Sequence, residues 1–169
     1  MLAGILVQFV LRCAFGLVAA MLVTSSRSVT SGFFRVHLWV VLGLNTLGAL
    51  AIGSQRAAGT PVSTLWLVVA AAALSYVGSV VWLYERPGAG RAMLIVVGVL
   101  DLAAAVQLAS PESAATLGVL VEVTFSGLIL GFALGSMLLG HWYLNTPSMQ
   151  LDPLRRLLIC LVVVAIVRG

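Results

Sequence analysis

The chain has no lysine and few charges of either sign. Of its 169 residues, 8% are charged and 62% are hydrophobic, whereas soluble domains carry about 25% charged residues. A water-soluble fold of this composition would expose large apolar patches and aggregate. The basic residues are 9 arginines against 5 acidic residues, which gives a net charge of +4. Because the arginines flank apolar runs, the excess indicates membrane topology and no nucleic-acid partner.

Cysteine is scarce, and several motifs that carry chemistry are missing. Cys13 and Cys160 both lie inside apolar runs and belong to no CxxC pair or Cys/His cluster, so we expect neither disulfides nor a zinc site. The sequence has no phosphate-binding glycine loop, no GxSxG elbow and no HExxH motif. We therefore predict that the chain is not an enzyme on its own, with an intramembrane lipid enzyme as an alternative.

Apolar runs of about 20 residues, the length that a helix needs to cross a bilayer, dominate what is present. Short stretches rich in Gly, Pro, Ser and Arg separate them. The pattern predicts an all-α, polytopic transmembrane helix bundle with short loops and about six helices, forming a single domain over residues 1–169. Ser110-Pro111-Glu112 has the order of a helix start: cap, first position, first turn. The predicted helices are 2–23, 33–52, 62–84, 92–109, 111–145 and 153–168.

The arginines are distributed unequally between the two ends of the predicted helices. We call the end that holds the loops after the first, third and fifth helices the Arg face. Short arginine-rich loops stay in the cytoplasm. This distribution predicts an extracytoplasmic N-terminus in an inner (plasma) membrane of prokaryotic type. Arginines on the Arg face are Arg27, Arg35, Arg86, Arg91, Arg155 and Arg156; those opposite are Arg56 and Arg168.

Three charged residues lie well inside predicted helices, away from their ends, where an unpaired charge costs several kcal/mol. Arg12 and Asp101 lie near the middle of their helices, Glu122 lies in the fifth, and Gln8 is one turn from Arg12 on the same face. We predict that these four side chains form one buried charge network. It would be a structural ion pair that sets helix register, or a proton relay or polar ligand site.

Two histidines occupy similar depths near the Arg face. His37 and His141, on different helices, would suit the axial positions of a haem b, with Arg35 and Arg91 on its propionates. Without haem we expect no metal. Alternatively, His141 and Asn145 would hydrogen-bond a quinone or a lipid headgroup, or both histidines are simply polar residues of the interfacial belt.

Glycines recur four residues apart in the fifth predicted helix, at Gly127, Gly131 and Gly135. Such a small-residue stripe lets a neighbouring helix come close, so we predict a packing interface there. The third helix carries a similar stripe, which includes Ala71 and Ser75, and we expect these two helices to face each other.

Together these features predict a small integral-membrane subunit of a larger membrane complex that serves electron or proton transfer. It would dock on other membrane subunits through its glycine stripe, contact membrane lipid, and hold a quinone, lipid or haem b near the cytoplasmic face. The alternative is the substrate-binding membrane component of a small-solute transporter, using the buried Arg/Asp/Glu cluster.

Overall fold

The computed structural model describes residues 2–26, 28–54, 61–109, 117–145 and 151–169. Within those ranges the chain forms six helices and no strand, which confirms the all-helical prediction. The helices are α1 (Leu2–Val23), α2 (Ser31–Ser54), α3 (Val62–Leu83), α4 (Pro87–Ala109), α5 (Leu117–Asn145) and α6 (Asp152–Arg168).

Five of the helices, α1 to α5, are long and apolar enough to cross a membrane. Large apolar side chains such as Leu50, Trp66 and Ile95 project outward from them. Outward apolar side chains suit a lipid environment, in which the bundle interior collects the polar groups. The fold is that of a multi-pass integral membrane protein. With 17 residues, α6 is shorter than the others.

Helix boundaries differ from the predicted ones mainly at α4. It begins at Pro87, five residues before the predicted start at 92, because proline suits the first turn, where a helix leaves N–H groups unpaired. Glu85 makes the turn from α3 with a φ of 52°, a left-handed conformation common after a helix end. The predicted cap at Ser110-Pro111-Glu112 lies outside the described residues.

Helices α1 to α4 form a ring in which each packs against the next and α4 returns to α1. Neighbours are antiparallel, as short connections require. The apolar core of the ring falls into two clusters. The cluster nearer the Arg face contains Phe33, Leu38 and Leu94. The cluster at the opposite end contains Leu11 and Val68, with the side chains around them.

Helix α5 lies outside the ring and runs parallel to α1. Gly131 lies so close to the backbone of Gly16 that a Cβ at either position would overlap the backbone of the other helix. Gly135 contacts the Cβ of Ala20. The glycine stripe therefore packs on α1, and the expectation that it faces α3 is wrong. Its third member, Gly127, lies against the ring of Phe15. Helix α6 packs mainly on α5.

Candidate functional site

Arg12 is held by a network of side chains from α1 and α5. Its Nη1 and Nη2 donate to the two carboxylate oxygens of Glu122 at 2.6 and 3.0 Å. Nη1 also donates to the Ser126 hydroxyl at 2.7 Å, and Nε donates to Gln8 Oε1 at 3.2 Å. Gln8 in turn donates to the Ala105 carbonyl of α4 at 3.1 Å. Three of the four predicted network residues thus come together, and Ser126 joins them.

The two partners of this ion pair differ in exposure. The side chain of Arg12 is 18% exposed, whereas that of Glu122 is 50% exposed. Arg168, at the end of α6, brings a second guanidinium within 4.0 Å of the same Glu122 oxygen. The arginine side chain of the pair is therefore mostly buried, whereas its carboxylate partner is half exposed to the surroundings.

Asp101 does not belong to the Arg12 network. It is completely buried inside the α1–α4 ring, where its neighbour is the equally buried Asn45 of α2. The two side chains lie side by side, but none of their four polar atoms completes a hydrogen bond of ordinary geometry with the described residues. The predicted single cluster is thus two separate polar sites, because the α4 face that carries Asp101 turns into the ring and away from α5.

The depth of Asn45 follows from contacts one turn away. Gly48 of α2 lies against Leu11 of α1 and Val68 of α3. One turn closer to the Arg face, α2 presents Asn45 and α3 presents Ala71, both completely buried. Asn45 therefore lies just beyond the apolar cluster of the opposite end, near the middle of the bundle.

Asp101 occupies the same level on the facing side of the ring. Gly98 of α4 lies against Val18 of α1. Because α1 and α4 are antiparallel, the next turn of α4, which carries Asp101, meets the preceding turn of α1, which carries Ala14. Asn45 and Asp101 thus form a polar layer between the two apolar clusters, with Ala14 and Ala71 at the same level.

Further polar side chains line the ring between this layer and the Arg face. Contact between Gly78 and Leu38 places the next residues, Ser79 of α3 and His37 of α2, at one depth. Ser75 lies one turn deeper and is completely buried. Both serine hydroxyls donate to carbonyls of their own helix, which leaves their oxygens able to accept a hydrogen bond.

An apolar layer closes the ring on the other side of Asp101. Val68 and Ala104 are completely buried there. Beyond them, the Thr64 hydroxyl donates to Gln107 Oε1 at 3.0 Å, and Gln107 is exposed. Buried polar side chains thus recur toward the Arg face at Ser75, Ser79 and His37, whereas toward the opposite end Val68 and Ala104 separate Asp101 from Thr64.

The two histidines do not share a cavity among the described residues. His37 is buried beside the rings of Phe33 and Trp142, with centroid distances of 3.9 and 6.4 Å, and its Nδ1 bonds the Phe33 carbonyl. His141 is exposed on α5. Because α5 turns its neighbour Trp142 toward α2, His141 points elsewhere. With His37 buried and His141 exposed, nothing in the described part of the chain places both imidazoles on one ligand, and haem b there stays a prediction.

The arginines expected near that ligand have other surroundings. Arg91 donates to the Leu22 carbonyl at the end of α1, at 3.2 Å, where a cation suits the helix dipole. Arg35 is exposed on α2. The side chain of Asn145 lies outside the described residues, so its predicted contact with a quinone or lipid stays a prediction.

Sequence reasoning missed Asn45 and Ser126 as members of the two polar sites. A usable signal exists for each of them. Asn45 is an amide in the middle of an apolar run, and Ser126 lies one turn from Glu122 on the same helix face. Neither position reveals its partner helix.

Comparisons with protein-family models, with characterised proteins and with solved structures found no match for this chain.

Proposed function

We propose that this chain is a small integral-membrane subunit of a larger membrane complex and that it handles protons inside the bilayer. One observation carries the proposal. Asp101 is completely buried at mid-depth in the ring, with only the amide of Asn45 beside it and no cation within the described contacts. An ionisable side chain inside a membrane span costs free energy, so its presence there points to a functional role.

The energetics of burial limit what Asp101 can do. A bare carboxylate without a partner in an apolar interior costs far more than the folding free energy of a small protein. Asp101 therefore rests with a proton bound and releases it only when water or a rearranged helix reaches it. Such a group is suited to taking up and releasing protons.

The route to this proton runs from the Arg face. His37 and Ser79 lie nearest that face, Ser75 lies one turn deeper, and Asp101 follows. Hydroxyl and imidazole groups both donate and accept hydrogen bonds, so they can pass a proton along with bridging water. Apolar side chains separate Asp101 from both ends of the ring, but Ser75, Ser79 and His37 are interspersed among them only on the side of the Arg face, so we place the route there.

The proposed subunit role rests on the apolar outer surface of the bundle, and the proposed orientation rests on the distribution of its arginines. The described residues outside the helices form only short connections, and apolar side chains cover the exterior, α6 included. Partners within the bilayer would pack on these surfaces. Following the arginine distribution, we place the Arg face in the cytoplasm and the N-terminus outside a prokaryotic-type inner membrane.

Infrared difference spectroscopy of the protein in lipid bilayers tests the role of Asp101. We expect the carbonyl band of a protonated carboxylic acid, shifting in D2O, to be absent in Asp101→Asn and retained in Asp152→Asn, whose carboxylate is exposed at the start of α6. Ser75→Ala should keep the band and slow its D2O shift. A band that never shifts in D2O, or that survives Asp101→Asn, would refute the proposal.

The transporter alternative depends on the charges of Arg12 and Asp101 lining one site. The structure separates them into two sites on different sides of α1 and α4. No specific observation among the described contacts favours that alternative, so the proton-handling role is the one we carry forward.

A further inference from the structure

A cleft opens beside the Arg12 network, between α1, α4 and α5, on the outer surface of the bundle. Its volume is about 550 Å³, within the range of roughly 300–1,000 Å³ typical of small-molecule sites. Gln8, Arg12 and Ser126 supply its polar lining, and apolar side chains, including those of Phe9, Leu108 and Leu130, form its walls. Few polar groups converging in an apolar cleft are the usual composition of a ligand site.

The charge of Arg12, the ionisable side chain in the lining of the cleft, is already paired, so a ligand head does not need an opposite charge. Glu122 already neutralises Arg12 through two hydrogen bonds. Of the five N–H donors of a guanidinium, the described bonds of Arg12 use four, on Nε, Nη1 and Nη2. One Nη2 donor and one Gln8 amide donor remain. The site therefore offers hydrogen-bond donors to an uncharged oxygen acceptor.

The depth of Arg12 along α1 further restricts which ligand heads can reach the cleft. Arg12 lies halfway along α1, about 15 Å from the start of a helix that is long enough to cross a bilayer. Phospholipid headgroups stay at the interface because their charges are costly in hydrocarbon. A head that reaches Arg12 must itself dissolve in hydrocarbon. Phe9, whose side chain is half exposed at the cleft, provides an aromatic surface for a flat ring to pack on.

We propose that this cleft binds a lipid-soluble quinone, with a ring carbonyl accepting hydrogen bonds from Arg12 and Gln8 and the isoprenoid tail lying along the outer wall. The site is distinct from the one expected near His141, at the other end of α5. It is also separate from Asp101, which does not line the cleft. A negative result for quinone binding would therefore leave the proposed proton handling by Asp101 unaffected, and the reverse also holds.

Titration of decylubiquinone into the protein in nanodiscs tests the proposal. Gln8→Leu removes one donor and should weaken binding about three- to tenfold. Leu108→Trp fills the cleft and should abolish saturable binding. Leu50→Trp makes the same change on a lipid-exposed position of α2 outside the cleft and should leave the affinity unchanged. Asp101→Asn should also leave it unchanged.

Two competing ligands complete the experiment. Dioleoylglycerol has a neutral, carbonyl-bearing head that stays at the interface, and oleate has an anionic head; neither should displace the quinone at equal concentration. Displacement by oleate would overturn the neutral-head argument, and displacement by dioleoylglycerol would overturn the depth argument. Equal affinity in Leu108→Trp and wild type would place the quinone elsewhere and refute the site.

Discussion

Arg12 and Asp101 both place an ionisable group inside the bilayer, and they meet its cost in opposite ways. The charge of Arg12 is compensated because Glu122 and Ser126 supply acceptors to its guanidinium. Asp101 has only an amide beside it. A charge paired with its counter-ion holds helices together, whereas a buried acid without a counter-ion is suited to binding and releasing a proton. This contrast is why we assign the proton to Asp101 and only hydrogen bonding to Arg12.

The unequal exposure of the Arg12–Glu122 pair leads to an asymmetric prediction. Glu122→Met leaves the buried guanidinium without its counter-ion and should cost about 2 kcal/mol of unfolding free energy. Arg12→Met leaves a carboxylate that is 50% exposed and has Arg168 nearby, so its cost should be smaller, about 1 kcal/mol.

The double variant is the control for this prediction. Removing both charges leaves no uncompensated ion, so Arg12→Met/Glu122→Met should be more stable than Glu122→Met alone. Steric trapping in bicelles measures the three free energies. Strictly additive losses would mean that the two side chains do not interact in the bilayer.

At the scale of elements, the crossing of α1 and α5 depends on the absence of side chains. Without Cβ atoms at Gly16 and Gly131 the two backbones touch, and this close approach brings Glu122 within reach of Arg12. In a bilayer, van der Waals packing of this kind replaces the hydrophobic effect as the force between helices. The crossing therefore also forms one wall of the proposed quinone cleft.

Two glycines of α5 provide a matched test of the crossing. Gly131→Ala places a methyl group against the Gly16 backbone and should destabilise the protein by about 3 kcal/mol through overpacking. Gly140→Ala meets nothing within 4 Å and should stabilise α5 by up to about 1 kcal/mol through helix propensity. Thermal unfolding in detergent ranks the two. A similar loss in both variants would contradict the crossing.

At the scale of the whole molecule, the α1–α4 ring and the α5–α6 pair that packs outside it contribute to different polar sites. The ring encloses the Asn45–Asp101 layer, whereas α5 forms the outer polar network and the cleft with α1 and α4. Helix α6 touches mainly α5 and presents the apolar side chains of Val162, Val163 and Ile166 outward. The pair is thus the part best placed to meet another membrane subunit.

The proposed orientation of the molecule can be read from labelling in intact cells. In a background with Cys13 and Cys160 replaced by alanine, we introduce Ser28→Cys, in the connection before α2, or Ser54→Cys, at the last residue of α2. A membrane-impermeant maleimide should label Ser54→Cys directly and Ser28→Cys only after permeabilisation. The reverse pattern would invert the topology and place the route to Asp101 on the outer side.

Local patterns in the chain were enough to predict the helices and their lipid environment. Run length and the near absence of charge require spans, and the row of Gly127, Gly131 and Gly135 predicts a close helix contact. Gln8 and Arg12 could be paired because both lie on one helix face. These inferences hold because the backbone hydrogen bonds of a helix and the length and apolarity of a span depend on nearby residues alone.

By itself, the sequence determined that this is an all-helical chain with long apolar spans, a few inward-facing polar groups and one tightly packing glycine stripe. Only the tertiary structure decided which helices meet. It joined Arg12 to Glu122, set Asp101 beside Asn45, and buried His37 while leaving His141 exposed. The physical reason is that partner choice depends on the rotation and register of whole helices, which the packing of all side chains sets together.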